Sequence, residues 1–254
     1  MNCYGELTHR GGITVVRIAT WNLNHRVGTT RFRHDAAKAV VALQADIVVL
    51  TEYYPKEHHA EFCAHLFDAG FTYVLASDPG SEVANRVLIV STLLIEPFHL
   101  PPPTFDRQFP ANMLAVTVPE LGCRVLGLRI PAYVSKDRSS LLASWDWLEN
   151  ATQTLHDAPT IVLGDLNAHQ LSPRSRGGEH FRRLLACGWQ LATPSGEASY
   201  FGPQGRRSKV DHMLCNRWGY FTDACYVTEA NEWRLAGGVE ALSDHAALVA
   251  RYRS

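Results

Sequence analysis

The stretch "GDLNAH" occupies Gly164 to His169 and follows directly on the apolar run "TIVL" of residues 160–163. A short run of β-branched and aliphatic side chains closed by glycine reads as a buried strand. What comes after it is too rich for a plain turn. Gly164 and Asp165 alone would satisfy turn geometry, yet the chain adds an amide at Asn167 and an imidazole at His169. Whether this is a turn or one wall of a site depends on how the other strands end.

They end alike. "ATWNLNH" (19–25) closes the strand-like "ITVVRIAT" with Asn22 and Asn24, and "VVLTE" (48–52) closes on Glu52. "SKVDH" (208–212) carries Asp211, and "LSDHAAL" (242–248) carries Asp244 and His245. Strand ends are where sites collect in α/β proteins. Between these strands lie segments of helical period: "RHDAAKAVVALQ" (33–44), "KEHHAEFCAHLFDAG" (56–70), "SSLLASWDWLENATQTL" (139–155) and "GEHFRRLLACG" (178–188). "FTYVLAS" (71–77) and "RVLIVSTLLI" (86–95) read as further strands. "NMLAVTV" and "CRVLGLRI", split by "PELG", read as a hairpin, and "PFHLPPPTFDRQFP" (97–110) as a proline-rich loop. Strands interleaved with helices favour an α/β layered fold over a pure sandwich.

The remaining features bound the answer. A chain of 254 residues suits one large domain spanning 1–254, with 1–12 as a flexible N-terminus. With 24 basic and 25 acidic residues the formal net charge is −1, so any attraction to phosphate must be local. The six cysteines form no CxxC pair and read as small, reduced core residues. The N-terminus lacks an apolar signal core, and no apolar run is long enough to span a bilayer. The expectation is a monomeric cytoplasmic protein.

Carboxylates and amide oxygens suit a hard divalent ion, Mg2+ or Mn2+, with Glu52 as its main ligand. A histidine among acids points to proton handling or anion stabilisation. Together they describe phosphoester hydrolysis, with a metal, a carboxylate that directs water, and donors that hold phosphoryl oxygens.

"TWNLN", "LTE", "NRVLIVS" (85–91), "GDLNAH", "SYFGPQGRRSKVDHML" (199–214) and "SDH", in this order, resemble the endonuclease/exonuclease/phosphatase superfamily, from about Ile18 to Val249. The resemblance implies a four-layer α/β sandwich: two packed, mostly antiparallel sheets with helices outside and the site at one edge. It implies Glu52 and Asn22 at the metal, with Asp244 as a further acid beside it. It places Asp165 on the residue that orients or deprotonates water, Asn167 on the amide that holds a phosphate oxygen, and Asp211 on the acid that pairs with the catalytic His245. Asn24 is a further candidate for the metal site, at a place where nuclease members often carry an acid. "LRIPAYVSKDR" (128–138) aligns two ways. Tyr133 falls on a phosphate contact in one, with Lys136 where an amide is usual; Arg129 replaces a phosphate-binding histidine in the other. Arginine suits that place as a bidentate phosphate partner.

Each residue alone has a plainer reading, since Asp165 can cap a turn and Asn22 can bond its own backbone. The ordered set favours a site. His25, His169 and His212 read as rim or supporting residues, His58 and His59 as a solvated helix face, and Trp145 and Trp147 as packing. Tyr200 and Phe201 lie where relatives contact the group beside the phosphate. "RFR" (31–33), "RSRGG" (174–178) and "RRSK" (206–209) all adjoin site motifs, which favours a basic rim, with Arg206, Arg207, Lys136 and Tyr200 as substrate contacts. The leading expectation is a nuclease, endo or exo, on nucleic acid. The alternative is a phosphatase or phosphodiesterase for a small-molecule or lipid headgroup phosphate. A binding module with a dead site is disfavoured by the intact set Glu52, Asp165, Asn167, Asp211 and His245.

Overall fold

A computed structural model of the chain describes residues 15–25, 33–55, 58–78, 85–104, 109–132 and 138–254. Residues 1–12, "RFR" apart from Arg33, Tyr133 and Lys136 lie outside the described residues. The first half runs β1 (Val15–Asn22), α1 (Arg33–Ala42), β2 (Ile47–Tyr53), α2 (His59–Asp68), β3 (Tyr73–Ala76), β4 (Arg86–Ser91), β5 (Glu96–Pro97), β6 (Met113–Val118) and β7 (Cys123–Arg129). It continues through α3 (Ser139–Thr154), β8 (Thr160–Asp165), α4 (Gly178–Ala186), β9 (Gln190–Leu191), β10 (Tyr200–Phe201), β11 (Arg207–Ser208) and β12 (Asp211–Cys215). The last elements are β13 (Tyr220–Val227), β14 (Glu229–Ala230), β15 (Trp233–Arg234) and β16 (Ala247–Arg253).

Two six-stranded sheets result, in the orders β13-β16-β1-β2-β4-β3 and β5-β6-β7-β8-β12-β9. Each is antiparallel but for one central pair, β1 with β2 and β7 with β8. The alternation of side chains builds three apolar layers. Ile18, Val49, Ile89, Val125, Leu163, Met213 and Leu248 meet between the sheets. Trp21, Leu50, Val90 and Val249 face the other way, against Ala36 and Val40 of α1 and Phe62 and Leu66 of α2. Leu126, Val162 and Leu214 pack against Leu141, Trp145 and Leu148 of α3 and Phe181 and Leu184 of α4. Helix, sheet, sheet, helix is the four-layer sandwich. Gly127 lets the sheets approach, for a Cβ there would sit 2.8 Å from a methyl carbon of Val49 and of Val87.

Some boundaries differ from the reading of the sequence. The expected strand 86–95 stops at Ser91, whose hydroxyl accepts the Leu93 N–H at 3.0 Å and turns the chain. Leu93 and Ile95 are buried all the same, as a loop under the inter-sheet core. His59 does not stand on a solvated face: its Nδ1 hydrogen-bonds the buried Tyr53 hydroxyl.

Candidate active site

Gly164 is a ladder residue, not a turn. It pairs with Leu128 across the parallel β7–β8 register at φ 143°, and a Cβ there would fall 1.9 Å from the Leu128 carbonyl oxygen. The strand therefore runs one residue further, and Asp165 follows Ile161 and Leu163 onto the inter-sheet face. Register then assembles the neighbours. Asp165 pairs with Arg129 on one side and with Asp211 on the other, so three polar side chains share one face at one sheet edge. Asn22 ends β1 on the matching face of the opposite sheet.

Glu52 reaches that edge by breaking alternation. Leu50 faces the helices, so regular pleating would send Glu52 the same way. The β2–β4 register shifts between Leu50 and Tyr53, Glu52 adopts φ 51°, and Tyr53 returns to the helix side. This bulge turns Glu52 toward the cleft, and a left-handed backbone at a non-glycine residue is the kind of strain that functional sites hold. Asn24 and Asn167, at φ 45° and 48°, carry the same mark.

Three donors hold the buried Asp165 carboxylate. Asn22 Nδ2 donates to Oδ2 at 2.9 Å, Asn167 Nδ2 to the same oxygen at 3.0 Å, and the Asn167 backbone N–H to Oδ1 at 3.0 Å. Asn167 Nδ2 also reaches the Ile130 carbonyl at 2.8 Å, which fixes the amide's orientation. Burial, and then the charge of Asp211 beside it, raises the Asp165 pKa above the ordinary carboxylate range. His245 Nδ1 lies 2.7 Å from Asp211 Oδ2, and Asp211 is wholly buried behind it. Burial opposes charge on the imidazole, but the Asp211 charge and hydrogen bond, with Asp165 and Asp244 adding theirs, push its pKa up to about 10. The ring is thus an imidazolium at neutral pH, with Tyr200 packed at 5.1 Å between centroids. Ser243 secures the loop: its hydroxyl donates to the Asn22 carbonyl at 2.7 Å and accepts the His245 N–H at 3.1 Å.

Glu52 is held by cations. Arg129 Nε and Nη2 both lie 2.8 Å from Oε1, and His25 Nε2 lies 3.0 Å from Oε2. Burial would raise the Glu52 pKa, but the His25 hydrogen bond, the charges of Arg129 and His25, and a bond from Asn22 outweigh it and hold the group at about 2. The His25 pKa is raised in turn by that hydrogen bond to Glu52, against its own burial.

One cleft of about 370 Å³ collects most of these groups. Asn24, Glu52, Arg129, Asp165, Asn167, Tyr200, Arg206, Asp244 and His245 line it. Asn22 and Asp211 stand behind the wall as supports, both almost fully buried. Arg207 is not brought in. It pairs with Glu197 at 3.2 Å and lies over the Phe201 ring. Arg176 does line the cleft; the sequence marked it only as part of an arginine-rich loop. Of the rim and supporting places expected for His212, it takes the buried one: it contacts the Ala168 carbonyl at 2.8 Å, and burial lowers its pKa to about 4. His169 tilts against its ring at 5.9 Å. The His25–Glu52 pair had no signal in the sequence beyond the nearness of His25 to Asn24.

The donor set fits a hard divalent cation. Glu52 and Asp244 present carboxylates to the same cleft, and the Asp244 Oδ1 is a buried atom with no hydrogen-bond partner. Elsewhere among the described residues, Asp146, Glu149 and His180 bring ligand atoms within 4.8 Å of one another. They sit on α3 and α4, away from the cleft, and Arg183 lies 3.6 Å from Glu149.

Residues 19–245 match the profile of the Endonuclease/Exonuclease/phosphatase family. No curated protein matches the sequence significantly. Among solved structures, an AP endonuclease from Archaeoglobus fulgidus superposes with a TM-score of 0.70 at 18% identity, covering 92% of this chain and 98% of that one. A 3′ phosphatase from Neisseria, bound to a product DNA hairpin, gives 0.68 at 21%, with coverage of 92% and 98%. TDP2 from C. elegans gives 0.66 at 14%, with coverage of 94% and 75%. At these identities the likeness is one of fold.

Proposed function

The chain belongs to the endonuclease/exonuclease/phosphatase family, whose members are hydrolases acting on phosphoester bonds, and on that premise we propose that it is a divalent-metal-dependent phosphodiesterase of nucleic acid. The observation that carries the reading is the pairing of His245 with a buried Asp211 in the same cleft as Asp165 and Glu52. The nucleic-acid substrate is supported by Arg129, Arg176 and Arg206 lining that cleft in a chain of net charge −1. The same reading takes the chain as a single domain acting as a monomer in the cytoplasm. No helix among the described residues is long and apolar enough to cross a membrane.

The roles follow from geometry. Asp165 takes a proton from the attacking water, and its raised pKa makes it a stronger base than an ordinary aspartate. Asn22 and Asn167 keep its oxygens oriented. His245 meets the phosphoryl group as an imidazolium, stabilising its growing charge or protonating the leaving oxygen. The guanidinium groups bind phosphate oxygens. Glu52, with Asp244, would hold the cation; Asn24 lines the same wall and Asn22 supports Glu52 from behind. Bound there, Mg2+ or Mn2+ supplies charge neutralisation at the phosphoryl oxygens.

A plasmid-nicking assay with Mg2+, run beside a panel of phosphomonoesters and lipid headgroups, tests the proposal. Nicking that EDTA abolishes and Glu52→Gln lowers is the expected result. Full turnover in EDTA overturns the metal-dependent reading. Turnover confined to small phosphoesters favours the second reading, a phosphatase or small-molecule phosphodiesterase, which a cleft of about 370 Å³ would also accommodate.

A further inference from the structure

Both carboxylate oxygens of Glu52 are already engaged by cationic side chains. A carboxylate offers about four lone-pair sites. Two N–H groups of Arg129 take Oε1, and His25 takes one site on Oε2. A divalent ion that binds through Oε1 must displace Arg129.

The donors differ in what displacement costs. His25 is half exposed and moves into water. The Arg129 side chain is only 17% exposed, and a buried guanidinium that loses its acceptor needs another. The cleft offers one when substrate is present. Arg129 shares its walls with Asp165 and His245, between which the phosphoryl group must sit, and a phosphoryl group accepts the same two-pronged hydrogen bond as a carboxylate.

We propose that Arg129 is an exchangeable clamp, which holds Glu52 in the free protein and transfers to a phosphoryl oxygen of the substrate, so that divalent-cation and phosphate binding at this site are positively coupled. The proposal rests on the metal-dependent reading above. Coupling of this kind is reciprocal: phosphate tightens the metal by the factor by which the metal tightens phosphate, on the order of ten-fold for a typical linkage.

The test is a Mn2+ titration read by electron paramagnetic resonance of the free ion, with and without methylphosphonate, corrected for the complex the two form in solution. In the parent protein the Mn2+ Kd should fall about ten-fold when methylphosphonate is added. Arg129→Lys keeps the charge but not the fork. It should bind Mn2+ about ten-fold more tightly than the parent without methylphosphonate, and gain several-fold less from adding it. Arg129→Gln should do the same. An Arg129→Lys protein that matches the parent in both arms overturns the clamp, since Arg129 then acts as charge alone. So does a parent Kd that methylphosphonate leaves unchanged. Glu52→Gln separates the two levels: if it leaves Mn2+ binding untouched, the ion sits elsewhere and the metal-dependent reading falls together with the clamp. If Glu52→Gln removes Mn2+ while Arg129→Lys behaves as the parent, the clamp alone falls.

Discussion

Asp165 and Asp211 occupy adjacent register positions on one buried face, and the imidazolium of His245 is what makes two carboxylates tolerable there. His245→Ala should lower turnover on the order of 10²–10⁴-fold, the usual worth of a positioned acid or base. It should also cost stability, about 3–5 kcal/mol, because Asp211 is left as an unpaired buried charge. Asp211→Asn should cost less turnover, since the ring remains. The double variant should be no slower than His245→Ala, because both act through one imidazole; additive losses would separate the pair. The pH profile carries signs of its own. Asp165 must be ionised, so activity rises with pH through a pKa above the ordinary aspartate value. His245 must be protonated, so activity falls again as pH passes about 10. The folded His245 pKa lies above its unfolded value of about 6.5, so the pair stabilises the fold fully below that pH and ceases to as pH rises through about 10. Melting curves of the parent and Asp211→Asn should therefore converge at the alkaline end. A kcat profile with no alkaline limb, or a constant stability difference, would remove the imidazolium from the mechanism.

Strand ends were legible in the sequence because a buried strand tolerates few polar residues, and those at its tip stand out against an apolar run. Asp165, Asp211, Asn22 and Glu52 all stood out on that signal, and the four-layer sandwich was implied by the family resemblance that their motifs carry. Pairing between distant strands leaves no such trace. Nothing local to "KVDHML" says that Asp211 falls opposite Asp165, and nothing in "VVLTEYY" announces the bulge that turns Glu52 away from the helices. Gly164 looked like a turn glycine because its neighbour Asp165 fits turns equally well, whereas its reason is the Leu128 carbonyl. Arg129 was readable as a phosphate ligand; its hold on Glu52 was not, for the two belong to different sheets. The two glycines under the site can be told apart by experiment. Gly127→Ala meets methyl carbons that can shift, so it should lose about 1–3 kcal/mol as ordinary overpacking. Gly164→Ala meets backbone at 1.9 Å and needs φ 143°, so β7 and β8 must part, and the loss should be larger, with activity falling alongside. Urea unfolding of both variants is the check; a Gly164→Ala protein as stable as Gly127→Ala would mean that the parallel pair is not pinned there.

A molecule of net charge −1 can still attract a polyanion if its cations are unevenly placed. Here much of the arginine complement is spent on internal pairs. Arg174 and Arg183 both bind Glu179, Arg207 binds Glu197, and Arg124 binds Asp157. Arg129, Arg176 and Arg206 line the cleft, Arg129 while also paired with Glu52. Among the described residues, the basic rim expected from "RSRGG" and "RRSK" is therefore narrower than their sequence suggests. Each phosphate neutralised on duplex DNA contributes a slope of about −0.9 to log K against log salt, so the three cleft arginines contribute roughly −3. Nuclease activity below saturation should follow that slope, far shallower than the value of about −10 found where a protein tracks a long stretch of duplex. Arg206→Gln and Arg176→Gln should each flatten it by about one unit. Arg207→Gln should change it less, because its charge is already opposed by Glu197. The comparison is internal: one substrate, one salt series and three variants that each remove a single positive charge. Equal flattening by all three would mean that only the overall charge of the molecule matters and that the cleft does not select the contact. A flat profile in the parent protein would mean that a single phosphate is bound, and the substrate would then be a small phosphoester rather than a nucleic acid.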